Sequence, residues 1–299
     1  MRLRLLAFVV PLITLCVGPA VAQQQDFSKV EIQSEKVADG IYMLTGSGGN
    51  MGLSIGEDGT YLIDDQYAPL TPKILAAIKE LTPDPVRFVF NTHYHGDHTG
   101  GNENMGEAGA FLVAHENVRR RMATGTFMKA FNRQVEPAPA GALPVVTFSD
   151  AISFHWNGEE IRAFFVGPAH TDGDSIIHFV KADVFHMGDT LFNGMYPFID
   201  VSAGGRIDGF IAAADRVLKV AGDETRLIPG HGPLATKADL QAFRDMLAEV
   251  RDRVAKLKAE GKTAEEIVAA KPTADLDEKW GGGFMKPDDW VGLVIESMK

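Results

Sequence analysis

Three histidines within six residues, His93-Tyr94-His95-Gly96-Asp97-His98, directly follow the apolar run Val86–Phe90. Only Arg87 breaks that run, as expected for a strand buried on both faces. The chain must therefore place three imidazoles and a carboxylate at the C-terminal end of a buried strand, where ligand sites of strand–helix units gather. Alternate residues of an extended backbone point the same way, so His93, His95 and Asp97 can converge, leaving His98 for a neighbouring site. Desolvating these groups together is costly unless a cation holds them.

The rest of the chain is read around this cluster. Short β-type runs with turn punctuation fill Val30 to Asp64: Ile41–Leu44, Gly52–Ile55 and Tyr61–Ile63, split by Gly46–Asn50 and Glu57–Gly59. Helical spacing covers Pro72–Leu81, a strand Ala110–Val113, and a helix about Glu116–Arg133. A second β region runs from Val145 to His186, followed by a helix over Asp208–Val220 and the strand Arg226–Ile228. The last 65 or so residues read as helical, with Leu240, Phe243, Leu247, Val250, Val254 and Leu257 in one stripe. Two β-rich regions, each followed by helices, predict two packed sheets with helices outside.

The N-terminus predicts export. Met1-Arg2-Leu3-Arg4 is a basic start, Leu5–Gly18 is an apolar run, and Ala20-Val21-Ala22 has the small-x-small form that signal peptidase cuts. The run is shorter than the roughly 20 residues that span a bilayer, which argues against an anchor. Cleavage after Ala22 removes Cys16, the only cysteine, and leaves a chain without thiol or disulfide, suited to a periplasmic or secreted life. It also removes Arg2 and Arg4, taking the net charge from −11 to −13, which disfavours a nucleic-acid partner.

The segment His93–His98 has the HxHxDH form of the metallo-β-lactamase superfamily, and three further segments resemble that family in order: His170 in Ala169–Gly173, Asp189 in Met187–Phe192, and His231 in Pro229–Gly232. The resemblance spans roughly Val30 to Leu234. It implies an α/β fold, a four-layer αββα sandwich over 23–234, with residues 235–299 as a helical C-terminal extension packed on the same domain. It further implies that His93, His95 and His170 hold one zinc, that Asp97, His98 and His231 hold a second, and that Asp189 bridges them. Fe or Mn would also suit nitrogen and oxygen ligands. Two such ions acidify a shared water to give hydroxide at neutral pH, with Asp97 orienting the nucleophile.

The expected reaction is opening of a small-molecule carbonyl: an ester, lactone, thioester or β-lactam amide. Export favours β-lactams, whereas Asp189 stands where zinc β-lactamases usually carry Cys or Ser, and Phe192 where one group carries Lys. Glyoxalase-type thioesterases share the Gly-Asp-Thr-Leu-Phe setting of Asp189, but glutathione is cytosolic. A persulfide dioxygenase-like iron enzyme is the non-hydrolytic alternative. Gly46–Met51 is expected to be a mobile loop over the metals, and Phe192–Phe198 an aromatic wall with Asn193 or Tyr196 as oxyanion donor. His115, His155, His178 and His186 match no motif position; an outer role beside Asp189 is open for His186. Asp172 and Asp174 are expected either to orient His170 or to cap its loop. The sequence sets no oligomeric state.

Overall fold

The computed structural model describes residues 26–298, so the expected signal segment 1–22 lies outside the described residues. The first half builds a seven-stranded sheet. β1 (Gln33–Ala38), β2 (Ile41–Thr45), β3 (Met51–Ser54) and β4 (Thr60–Ile63) form an antiparallel meander. Helix α1 (Thr71–Leu81) crosses over to β5 (Val86–Asn91), which runs parallel to β4. The short helices α2 (Gly96–Thr99) and α3 (Asn102–Glu107) lead to the parallel strand β6 (Phe111–His115). Then come α4 (Glu116–Thr124), a small hairpin of β7 (Thr126–Met128) and β8 (Arg133–Val135), and the closing strand β9 (Val146–Phe148).

The second sheet has six strands. β10 (Ala151–Trp156), β11 (Glu159–Phe165), β12 (Ser175–Phe179) and β13 (Val184–Phe192) pair antiparallel. Helix α5 (Ile207–Leu218) crosses to β14 (Arg226–His231), parallel to β13, and β15 (Ala235–Thr236) closes the edge. Four helices follow: α6 (Lys237–Ala259), α7 (Ala264–Ala269), α8 (Asp277–Trp280) and α9 (Pro287–Ser297).

Side-chain alternation makes the layers. In β4, Tyr61 and Ile63 face the second sheet, joining Phe90, Val113, Ile161, Ile177 and Ile228 in the central core. Leu62 between them points the other way, to Ile74, Ile78 and Met105 of the first helical layer. The outer face of β13, through Phe185, Met187 and Leu191, packs on Phe210, Ala214, Leu240, Phe243, Leu247 and Trp290. The order is helix, sheet, sheet, helix: the expected αββα sandwich, with the C-terminal helices in its outer layer.

The expected helix over Glu116–Arg133 ends at Thr124. Gly125 sits at φ 71°, where its N–H reaches Arg121 O, and the chain then reverses into the β7–β8 hairpin. Strand β1 was not expected, because Gln33–Lys36 are exposed and show no apolar alternation; it is held as an edge by pairing with β2.

Candidate metal centre

Every motif histidine and both motif aspartates arrive at one end of the two sheets. The loop after β5 supplies His93 and His95, α2 supplies Asp97 and His98, the loop after β11 supplies His170, and β13 and β14 supply Asp189 and His231. The ligand atoms of His93, His95, His170 and Asp189 lie within 4.8 Å of one another, as do those of Asp97, His98 and His231. Asp189, of the first group, also reaches two residues of the second. Its Oδ2 is 3.3 Å from His170 Nε2 and 3.4 Å from His231 Nε2, while its Oδ1 is 3.1 Å from His98 Nε2. Asp97 Oδ2 stands 3.4 Å from His231 Nε2 and is the more exposed of the two carboxylates.

The outer nitrogens explain why the inner ones are bare. His95 Nε2–H donates to Asp200 Oδ2 at 3.1 Å, and His170 Nδ1–H donates to Phe198 O at 2.7 Å. His98 Nδ1–H donates to Asp64 Oδ2 at 2.7 Å. His93 Nδ1 meets Thr92 Oγ1, which donates its own proton to the same Asp64 oxygen. His93, His95 and His170 therefore turn a lone pair inward. His95 Nδ1 then lies 2.8 Å from His170 Nε2 and 3.2 Å from His93 Nε2, distances at which acceptor nitrogens repel unless a cation lies between them. Buried His98 Nε2 and Asp189 Oδ1 face each other at 3.1 Å and make no hydrogen bond to any other described residue, which again fits metal ligands. The donor set, nitrogen and carboxylate oxygen without thiolate, suits zinc.

Electrostatics point the same way. Burial pushes His93 well below the usual imidazole range and His170 down to about 4, so both are neutral ligands near pH 7. Burial opposes charge on His98, but Asp189, Asp97 and Asp64 outweigh it and hold that ring protonated. His231 is likewise raised to about 9, against burial, chiefly by Asp189 and Asp97. Asp189 stays ionised despite its burial because four imidazoles surround it. A metal would take the place of the protons on His98 and His231.

Close backbone approach needs glycine twice. A Cβ on Gly49 would fall 2.0 Å from His98 Cε1, and one on Gly230 would fall 2.0 Å from Asp189 Oδ1. The Gly46–Met51 loop, expected to move, is pinned. Asn50 N donates to Gly230 O, its Nδ2 donates to Pro229 O and Gly232 O, and Gln66 Nε2 donates to Gly49 O. His186 Nε2 reaches Asn50 O, so that histidine supports the site by fixing this loop. Asp174 accepts from Thr171 N and Oγ1 and closes the His170 loop, whereas Asp172 pairs with Arg121. His115 caps α4 and stacks on Phe165.

The aromatic wall is only partly as expected. Phe192 stacks on His231, and Phe198 lies against His95 and His170. Tyr196 is a correction: its ring stacks on Trp290 and its hydroxyl donates to Asp277 Oδ1, so it fastens the C-terminal helices and is no oxyanion donor. Asn193 stays at the rim, its N–H on His231 O and its Nδ2 on Pro233 O. Asp64, Asp200 and Thr92, which orient the ligands, were missed from sequence. The one available signal was Asp64-Asp65 ending the apolar run Tyr61–Ile63.

The family model of the metallo-beta-lactamase superfamily matches residues 44–231, more than half of the chain. A hydroxyacylglutathione hydrolase of Gloeobacter violaceus is 32% identical over 36% of this chain and 35% of its own length. The chain thus spans about a third of that relative. One from Maricaulis maris is 28% identical over 67% of this chain and 69% of its own, and the type 2 metallo-beta-lactamase of Bacillus cereus 21% over 63% and 69%. Among solved structures, a metallo-beta-lactamase from Pontibacter korlensis superposes with a TM-score of 0.62 at 18% identity, over 73% of this chain and 99% of that one. The sec-alkyl sulfatase PisA1 reaches a TM-score of 0.68 at 20% identity, over 88% of this chain and 49% of that one. These likenesses share the fold of the two sheets and their helices. The chain belongs to the metallo-beta-lactamase superfamily.

Proposed function

We propose that the chain is an exported dinuclear zinc hydrolase that opens a small-molecule carbonyl: ester, lactone, thioester or β-lactam amide. The observation that carries this reading is Asp189, whose two oxygens reach His170 and His231 on one side and His98 on the other. Bound at these residues, zinc supplies Lewis-acid polarisation of a carbonyl and a water acidified towards pH 7. His93, His95 and His170 would hold the first ion, and Asp97, His98 and His231 the second. Asp97, partly exposed beside His231, would orient the attacking water. Asn193 is the remaining side-chain candidate to donate to the developing oxyanion. The relatives named hydroxyacylglutathione hydrolases favour a thioester within this range. Export rests on the basic and apolar start ending at Ala22, and the N-terminal sequence of the secreted protein tests it.

The decisive experiment uses residues 23–299 loaded with zinc. Hydrolysis of a β-lactam, an aryl ester, a lactone and a thioester is measured with and without chelator, beside elemental analysis for two zincs per chain. Chelator-sensitive turnover of any of these, lowered roughly 100-fold or more by Asp97→Ala, is the expected outcome. An unimpaired Asp97→Ala enzyme would sink the mechanism. Turnover only with iron, and of a persulfide, would replace it by the non-hydrolytic reading.

A further inference from the structure

Two large aromatic rings stand in solvent beside the metal ligands. Phe131, at the tip of the β7–β8 hairpin, is 41% exposed, and Phe284, in the loop between α8 and α9, is 67% exposed. They contact each other at 5.6 Å between ring centres. Phe131 also lies 4.9 Å from Phe198, which is itself 5.8 Å from His95 and 5.7 Å from His170. An unbroken aromatic face therefore runs from two ligand rings out to solvent, built from three segments far apart in sequence.

Anchoring does not explain these rings. The hairpin is held without Phe131, by Met128 and Val135 in the outer core and by Lys129 on Glu296 of α9. The loop carrying Phe284 is held by Gly283, where a Cβ would come 2.7 Å from Met195 Cβ, and by Met285, which is buried. Of the hairpin's cations, Lys129 pairs with Glu296 and Arg133 acts on Tyr67, on the Asp97 side of the cluster. Small-molecule sites combine apolar walls with a few directed polar groups, and here the aromatic rings adjoin the polar ligand cluster.

We propose that Phe131, Phe284 and Phe198 form an apolar subsite that takes the aryl or alkyl arm of the substrate whose carbonyl sits at the metal ligands. This rests on the hydrolase reading for the carbonyl, but the subsite can be tested without turnover. Binding of phenylhexanoate and of acetate to the zinc-loaded full chain is measured by calorimetry, for the parent, Phe284→Ala and Phe131→Ala. The expected result is that phenylhexanoate binds at least tenfold more tightly than acetate, and that each substitution weakens it roughly threefold to tenfold while acetate binding is unchanged. Equal phenylhexanoate affinity in parent and variants overturns the proposal, whatever the enzyme hydrolyses. Phe284-dependent binding without turnover of any carbonyl substrate keeps the subsite and removes the hydrolase reading. A change in mass by light scattering in Phe284→Ala, without a change in phenylhexanoate affinity, overturns the proposal in favour of a contact between copies.

Discussion

At the scale of the residue, ligand geometry is set by partners one bond further out. Asp200 is buried and receives Tyr94 Oη–H, His95 Nε2–H, Ser202 Oγ–H and Ala203 N–H, which together hold its carboxylate ionised against burial. Replacing it by Asn keeps the shape and removes the charge that favours a bare, basic Nδ1 on His95. Asp200→Asn should weaken zinc at the first site roughly 10-fold to 100-fold, read by competition with a chromophoric chelator. An unchanged affinity would mean that His95 is oriented by packing alone. His93, His95, Asp97 and His98 were legible in their local spacing, whereas His170, Asp189 and His231 followed only from the resemblance to the family. Asp64 and Asp200 were not legible, since Asp64 meets Thr92 from 28 positions away and Asp200 meets His95 from 105. No local pattern encodes such pairs. Tyr196 shows the reverse error, for proximity in sequence to Asp189 did not place its hydroxyl in the cleft.

At the scale of the element, the stripe on α6 is the clearest link between sequence and packing. Leu240, Phe243, Leu247, Val250 and Val254 are all buried, and Leu257 packs at the margin, as helical spacing foretold. A capping box at Thr236 and Asp239 starts the helix. Phe243 lies edge-on to Phe210 of α5 and near Trp280 of α8, so Phe243→Ala should cost about 3–5 kcal/mol in urea unfolding. Zinc content of the folded fraction should not change, because no atom of Phe243 orients a ligand. The hairpin β7–β8 was illegible for the opposite reason. Residues 126–135 are mostly exposed, so apolar periodicity says little there, and Gly125 decides the turn.

At the scale of the whole molecule, the metal cluster is the joint between the two sheets. The first sheet delivers His93 to His98, the second delivers His170, Asp189 and His231, and Asn50 crosses from the first to the backbone of β14 and the turn after it. Removing the ions leaves mutually repelling donors at that joint. Dialysis against chelator should therefore lower the melting temperature by roughly 5–10 °C, and zinc should restore it. A melting temperature indifferent to chelator would mean that the joint holds by hydrogen bonds and the central core alone.

The position of the outer helical layer in the chain has a consequence in time. A ribosome has made all seven ligands once it passes His231, but the residues that cover β13, from Leu240 to Trp290, are still to come. Until they arrive, the outer face of the strand bearing Asp189 is covered only by α5, and neither Phe284 nor the helices fastened by Tyr196 exist. Nascent chains thus carry the full set of donors before they have the wall that stiffens them. Firm binding of metal is therefore expected only once the C-terminal helices have joined the outer layer, which for an exported chain comes after it has left the ribosome.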